Sequence, residues 1–260
     1  MGKISFDDVQ QITVDAGALV LENGGETYRC EETVVRTARS LGAKDPSSFV
    51  TPTVVMVSFR DDDGTHHAYF RRIYRRGTNL RKLVMINNLS RSLERRGRIS
   101  DTRMVEHRIV RINETPEYPG AVIVAAAALN SFFFTFLFGG ALTDALCALV
   151  IGAVLRFILI LLDKSTLNSF FISLLSGTVI SMLADCIGLT PFPVNTAVVM
   201  IGVLMQVVPG LALVNAIRDI IAGDFVAGSS RLMDVLMTAL GLSVGSAAGV
   251  LFTDGIQGLL

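Results

Sequence analysis

Residues 119–164 read PGAVIVAAAALNSFFFTFLFGGALTDALCALVIGAVLRFILILLDK, two apolar runs parted by Gly139-Gly140. Each run is close to the ~20 residues that a helix needs to cross a bilayer. Three more such runs follow, giving five expected spans at 120–138, 141–162, 169–188, 195–217 and 232–253. No such run precedes Tyr118, and Pro116-Glu117-Tyr118-Pro119 marks the change. The expected fold class is therefore an α-helical integral membrane protein with about five transmembrane helices, preceded by a small cytosolic α/β domain; the expected domains are 1–118 and 119–260.

Composition agrees with that division. Mean hydropathy is +0.54 and 51% of residues are hydrophobic, too apolar for an ordinary soluble domain. The formal net charge of zero hides two halves: up to Tyr118 there are 19 Lys/Arg against 16 Asp/Glu, and from Pro119 onward 4 against 7. MGKISFDDVQ has neither the apolar core nor the cleavage site of a secretory signal, and its serine comes one place early for myristoylation. Cytoplasmic loops retain Lys and Arg. Arg108 and Arg111 precede the first span, Lys164 follows the second, and Arg218 and Arg231 lie between the fourth and fifth, whereas the other connections have no basic residue. This alternation implies a multi-pass protein of the cytoplasmic membrane with its N-terminus cytosolic and its C-terminus outside.

The first domain carries helical spacing at Phe6, Val9, Ile12, Ala16 and Leu19, stopped by Asn23-Gly24-Gly25, and a second helix from Glu26 to about Leu41. The β-rich run SFVTPTVVMVSF then meets HHAYFRRIY across Asp61-Asp62-Asp63-Gly64 as a hairpin, with Pro52 marking an edge; helices over 78–96 and 101–113 complete the domain. The DDDG turn lacks the alternating ligands and closing Glu of a calcium loop. His66 and His67 would point to opposite faces of a strand. Cys30, Cys147 and Cys186 are odd in number and widely spaced, so no metal site, cofactor or disulfide framework is expected. Arg71, Arg72, Arg75 and Arg76 suit anionic inner-leaflet lipid or a solvated face; with acids nearly balancing bases, nucleic acid is not an expected partner.

Polar groups inside spans are costly and mark candidate sites. Gln206 falls about 16 Å into the fourth span at 1.5 Å per residue, near the bilayer midplane. Pro209-Gly210 follows, and proline cannot donate to the carbonyl of Met205. Such a break is either a packing kink or the interrupted helix that transporters place at their binding sites. Asn215, Arg218 and Asp219 share one face. Arg218 either obeys the positive-inside rule and pairs with Asp219 or holds a substrate carboxylate. Asp144 and Asp185, near the outer ends of their spans, are the candidates for proton coupling; Arg156 lies deeper and can snorkel. Two small-residue stripes, Gly241/Gly245/Gly249 and Ser173/Gly177/Ser181, suit helix packing within one chain or between chains. Five is an odd number for a carrier built from paired repeats, so a second half is expected from another chain or from self-association.

Three stretches, ENGGETYRCEETVVRTARSLGAK at 22–44, RRGTNLRKLVMINNLSR at 75–91 and VVPGLALVNAIRDIIAGDFVAG at 207–228, resemble the threonine/serine exporter (ThrE) family, and within it the YjjP-like half of the split form. The resemblance covers nearly the whole chain. It implies proton-driven export of a small hydrophilic metabolite, threonine, serine or a dicarboxylate, together with a small membrane partner of the YjjB type. It also favours the functional reading of the fourth span: Pro209-Gly210 opens the helix, Gln206 and freed backbone contact substrate, and Arg218 with Asn215 receives the carboxylate. An intramembrane aspartyl protease is disfavoured because its Y-D and G-x-G-D signatures are absent. The remaining rival is a membrane-anchored sensor with a ligand-binding cytosolic domain.

Overall fold

The computed structural model describes residues 6–99, 101–163, 167–191 and 193–257; Lys164, counted above among the orienting residues, lies outside them. The described elements are α1 (Phe6–Glu22), α2 (Thr27–Ser40), β1 (Lys44–Thr51), β2 (Val54–Arg60), β3 (His66–Arg72), α3 (Leu80–Arg96), α4 (Thr102–Asn113), α5 (Gly120–Leu137), α6 (Leu142–Leu162), α7 (Ser169–Gly188), α8 (Thr196–Leu204), α9 (Gly210–Ile221) and α10 (Phe225–Gln257). By its internal contacts the chain divides into two compact units. One comprises Met1–Pro116 and Leu211–Leu232, the other Glu117–Gly210 and Met233–Leu260.

In the first unit α1 is the central element. Val9, Ile12, Val14, Ala16 and every residue from Ala18 to Leu21 are buried, on all sides of the helix, as in a helix enclosed by others. It packs against α2, α3, α4, β2 and β3. Gly17 has no side chain, which lets α2 approach: a Cβ there would stand 2.5 Å from Val34 Cγ2. The Cys30 thiol donates to the Gly17 carbonyl at 3.2 Å, and burial pushes its pKa up. The three strands form an antiparallel sheet in the order β1-β2-β3. The β-rich run expected as one strand is two, because Pro52 and Thr53 turn the chain between β1 and β2; proline has no N–H for a ladder. Thr51 then pairs with Val54, and Arg60 with His66 across the DDDG turn. Val55, Val57 and Phe59 point into the core, with Val54, Met56, Ser58 and Arg60 on the opposite face.

The Val50 N–H of β1 donates to Glu31 Oε1 of α2 at 3.2 Å and ties the two elements. Burial raises the Glu31 pKa above its ordinary 4.5; Asp224 and Asp219 push the same way, and the Val50 bond opposes them.

In the second unit α5, α6, α7 and the membrane part of α10 are long and apolar enough to cross a bilayer, four helices among the described residues. The expected span at 195–217 is not one helix. α8 ends at Leu204, the chain passes through a turn, and α9 begins at Gly210. Pro209 cannot continue the α8 ladder, and the Gly210 N–H turns back to the Val208 carbonyl at 2.8 Å. The expected fifth span lies inside α10, which begins earlier, at Phe225. The small-residue stripes face each other: a Cβ on Gly249 would stand 2.7 Å from the Thr178 carbonyl oxygen, and one on Gly245 would overlap that of Leu174. Thr178 Oγ1 also donates to the Gly245 carbonyl at 3.0 Å, an interhelical bond that such close backbones permit.

Two outcomes follow. Gly245→Val forces α7 and α10 apart, a cost of about 1–3 kcal/mol or more, and is expected to lower the melting temperature of the detergent-solubilised protein, with an unchanged melt counting against this packing. For Glu31, a raised folded pKa means that the native state binds its proton more readily than the unfolded chain. The resulting stability is present at low pH and lost as pH rises from 4.5 through the folded value. Glu31→Gln keeps an acceptor for Val50 and removes the charge, so its melting temperature should exceed wild type at neutral pH and vary less across that window.

Candidate functional site

The turn between α1 and α2 has four consecutive backbone carbonyls, and each accepts a bond from elsewhere in the chain. Glu22 O accepts from Gly77 N–H at 2.8 Å and Asn23 O from Asn79 N–H at 3.2 Å. Gly24 O accepts from Asn215 Nδ2 at 3.2 Å, and Gly25 O from an Arg231 guanidinium nitrogen at 2.7 Å. Gly24 sits at φ 87°, a conformation that glycine adopts without strain. The Asn23 amide holds the turn to α1 through Leu19 O at 2.7 Å.

The next two residues carry the side-chain part of the same contact. Glu26 pairs with both Arg218 and Arg29. Thr27 Oγ1 donates to Asp219 Oδ2 at 2.9 Å, and the Arg231 guanidinium stands 3.3 Å from that oxygen, in charge contact. Asp219 is 0% and Arg231 9% exposed. Asn215, Arg218 and Asp219 are therefore brought together in the first unit, as their spacing on α9 requires. Their partners are different from those expected: Arg218 holds an internal carboxylate, Glu26, and Asp219 holds Arg231 and Thr27. Glu26, Thr27 and Arg231 were not singled out by spacing, since their partners lie about two hundred residues away in the chain.

Gln206 belongs to the second unit. Its Nε2 lies 3.3 Å from Gly152 O and 3.4 Å from Ser131 Oγ. Gly152 packs directly on Ser131, where a Cβ would overlap the hydroxyl. Gln206 lines a cavity of about 430 Å³ with Tyr118, Val122, Ala126, Asn130 and Arg156, within the roughly 300–1,000 Å³ of small-molecule sites. Three buried polar atoms of this lining have no hydrogen-bond partner: Asn130 Oδ1, Arg156 Nε and Gln206 Oε1. Arg156 also makes no ion pair among the described residues. Leaving such groups unsatisfied in an apolar unit is costly, and the three residues that carry them line one cavity, which makes it the candidate site. A sequence signal for this existed: the positions three and four residues either side of Arg156 are Gly152, Ala153, Leu159 and Ile160, none of which can neutralise it.

Pro209 and Gly210 form the break between α8 and α9, with open space around Gly210. Asp144 is 4% exposed and both its oxygens accept backbone N–H groups at 2.8 Å, from Ala141 and Asn195. It closes the N-terminus of α6 and ties it to the start of α8. Asp185 is half-buried and accepts from Thr253 Oγ1 at 2.9 Å.

The ThrE profile, described as "Putative threonine/serine exporter", matches residues 11–253. Two relatives, each named "Probable succinate transporter subunit YjjP", come from Klebsiella aerogenes and Escherichia coli K12. Each is 23% identical over 240 residues, 91% of this chain and 91% of the relative. No solved structure matches the chain. The three stretches on which the resemblance rested, at 22–44, 75–91 and 207–228, contribute all four donors and acceptors around the α1–α2 turn except Arg231, which lies three residues beyond the last of them. With a profile match over nearly its full length and four apolar helices of membrane-spanning size, this chain is a multi-pass membrane protein that belongs to the threonine/serine exporter family.

Proposed function

We propose that the chain is one subunit of a secondary-active, proton-coupled exporter of small carboxylate metabolites, working in the bacterial cytoplasmic membrane with a small partner of the YjjB type. The observation that carries this reading is the cavity in which Arg156, Asn130 and Gln206 each leave a buried polar atom unpaired. A guanidinium without a carboxylate partner in an apolar unit is suited to a substrate carboxylate, held by charge-assisted bonds. The two amides serve the rest of the molecule. Their oxygens accept from the ammonium or hydroxyl of threonine or serine, and a half-turn of the Asn130 amide presents its NH2 to the second carboxylate of a dicarboxylate, while the Gln206 NH2 stays on the Gly152 carbonyl. The succinate in the names of the two relatives fits the second arrangement.

Asp185 is the proposed proton carrier. One of its oxygens is held by the Thr253 hydroxyl, so protonation leaves the local fold intact. Asp144 is assigned to structure, since both oxygens are committed to backbone N–H groups. Arg218 and Asn215 brace α9 against the α1–α2 turn and so hold the segment that directly follows the Pro209-Gly210 break. The polar contact to substrate shifts from Arg218 to Arg156.

The test is efflux of labelled threonine, serine and succinate from proteoliposomes under an imposed proton gradient, with this chain alone and with its YjjB-type partner. Gradient-driven efflux of one of them, requiring the partner, is the expected result. Arg156→Ala should reduce it by about 10–100-fold, on the roughly 1.5–3 kcal/mol of a hydrogen bond to a charged group, while Arg218→Ala retains a larger share. Asp185→Asn should leave substrate exchange without a gradient and remove the response to pH. Efflux unaffected by Arg156→Ala in a correctly inserted protein would place the substrate elsewhere. A separate outcome concerns the brace: Asp219→Ala leaves Arg231 buried and uncompensated, and a loss of about 3–5 kcal/mol should appear as a lower melting temperature.

A further inference from the structure

The face of the sheet turned away from the core has a defined chemical pattern. Registered pairing sets Phe49, Met56 and Phe70 side by side across the three strands. They are 54%, 41% and 65% exposed, although side chains of this kind ordinarily belong inside. The neighbouring row is small, Ser47, Ser58 and Ala68, and the two rows frame a shallow groove of about 270 Å³. Basic residues stand at both ends of this face: Arg72 opposite Val54 at one, Arg60 with His66 and Lys44 at the other. Lys44 and Arg98 are engaged by Asp62 in the DDDG turn, so the turn offsets part of the charge at its own end. Arg60 and Arg72 are exposed and make no ion pair among the described residues. Two residues past Arg72, Tyr74 is 88% exposed.

We propose that this open sheet face, Phe49, Met56 and Phe70 between Arg60 and Arg72, is a docking surface for the anionic headgroup layer of the bilayer. Aromatic and thioether side chains enter the interfacial layer while guanidinium groups stay at the phosphates, as amphipathic surfaces do when they lie on a membrane. Charge complementarity selects this occupant. A second copy of the same face would bring arginines toward arginines, whereas lipid phosphates neutralise them. The bilayer is also within reach at all times, because the same chain carries four helices of membrane-spanning size, and tethering makes even a weak surface affinity effective. This inference stands apart from the transport reading, since it needs neither a substrate nor a partner subunit.

The experiment uses the full chain with Cys147 and Cys186 replaced by serine, buried Cys30 retained, and an environment-sensitive fluorophore on Ala68→Cys, beside the apolar row. The protein is reconstituted into phosphatidylcholine vesicles with or without phosphatidylglycerol, all carrying a nitroxide-headgroup quencher. The expected result is strong quenching with phosphatidylglycerol, weak quenching without it, and loss of the difference in high salt. Arg60→Gln with Arg72→Gln should lower the docked-to-undocked ratio about 25-fold, at about fivefold per arginine near an anionic surface; Phe49→Ser with Phe70→Ser should reduce quenching at all salt concentrations. All four positions are exposed, and the melting temperature of each variant checks the fold. Equal quenching in the two lipids, or none in either, overturns the proposal. So does disulfide pairing of unlabelled Ala68→Cys chains in detergent at a yield that rises with protein concentration, which would assign the face to a second copy.

Discussion

Four adjacent carbonyls, those of Glu22, Asn23, Gly24 and Gly25, cannot be satisfied by the turn that carries them. α1 ends at Glu22 and α2 starts at Thr27, so the carbonyls at this C-terminus have lost their helical donors. The chain supplies four donors from three places: the backbone at Gly77 and Asn79, the Asn215 amide and the Arg231 guanidinium. Once those bonds are made, the segment before α3, the body of α9 and the first turns of α10 have fixed positions around one turn. The side chains reinforce it, because Glu26 meets Arg218 and Thr27 meets Asp219. Gly24 and Gly25 are needed for two separate reasons: a left-handed backbone at the first, and at the second a site where any Cβ would collide with Val20.

The polar groups of this contact and those of the cavity differ in kind. Around the turn Glu26 has Arg218 and Asp219 has Arg231 as opposite charges, even where an atom such as Asp219 Oδ1 lacks its own bond. In the cavity Arg156 has none among the described residues, and the residues that carry the unpaired atoms line about 430 Å³ of space. An internally neutralised cluster holds elements in place; an unneutralised one beside a cavity is completed by something that enters. That physical difference, rather than the presence of polar residues as such, separates the brace from the proposed binding site in this chain.

Much of the fold was legible in the sequence. α5, α6 and α7 fall within a residue of the apolar runs, and the helices of the first unit lie close to their expected limits, because hydrophobic periodicity and capping residues are local signals. The break at Pro209-Gly210 was legible for the same reason. Its consequence was not: residues on either side of it join different compact units, a matter of long-range contacts that no window of sequence contains. Spacing on α9 placed Asn215, Arg218 and Asp219 together but could not say that the carboxylate on Arg218 would be Glu26. In the same way the SFVTPTVVMVSF run was recognisably β, yet only the pairing register showed that Pro52 makes it two strands and thereby aligns Phe49, Met56 and Phe70 on one face.

Placement of the cavity follows from glycine rather than from polarity. Gln206 Nε2 lies 3.3 Å from the Gly152 carbonyl, Gly152 brings α6 directly onto Ser131 of α5, and Gly202 brings α8 directly onto Thr135 of α5. These two close approaches draw α5, α6 and α8 together near their crossing, and packing that tight would ordinarily leave no room. The cavity that remains is lined by the small side chains of Ala126 and Ala127 together with Arg156. A larger residue at either position would fill it with methyl groups and satisfy none of the three polar atoms. The cavity and the helix packing thus both depend on small residues, and the cavity's polarity depends on an arginine with no ion-pair partner among the described residues.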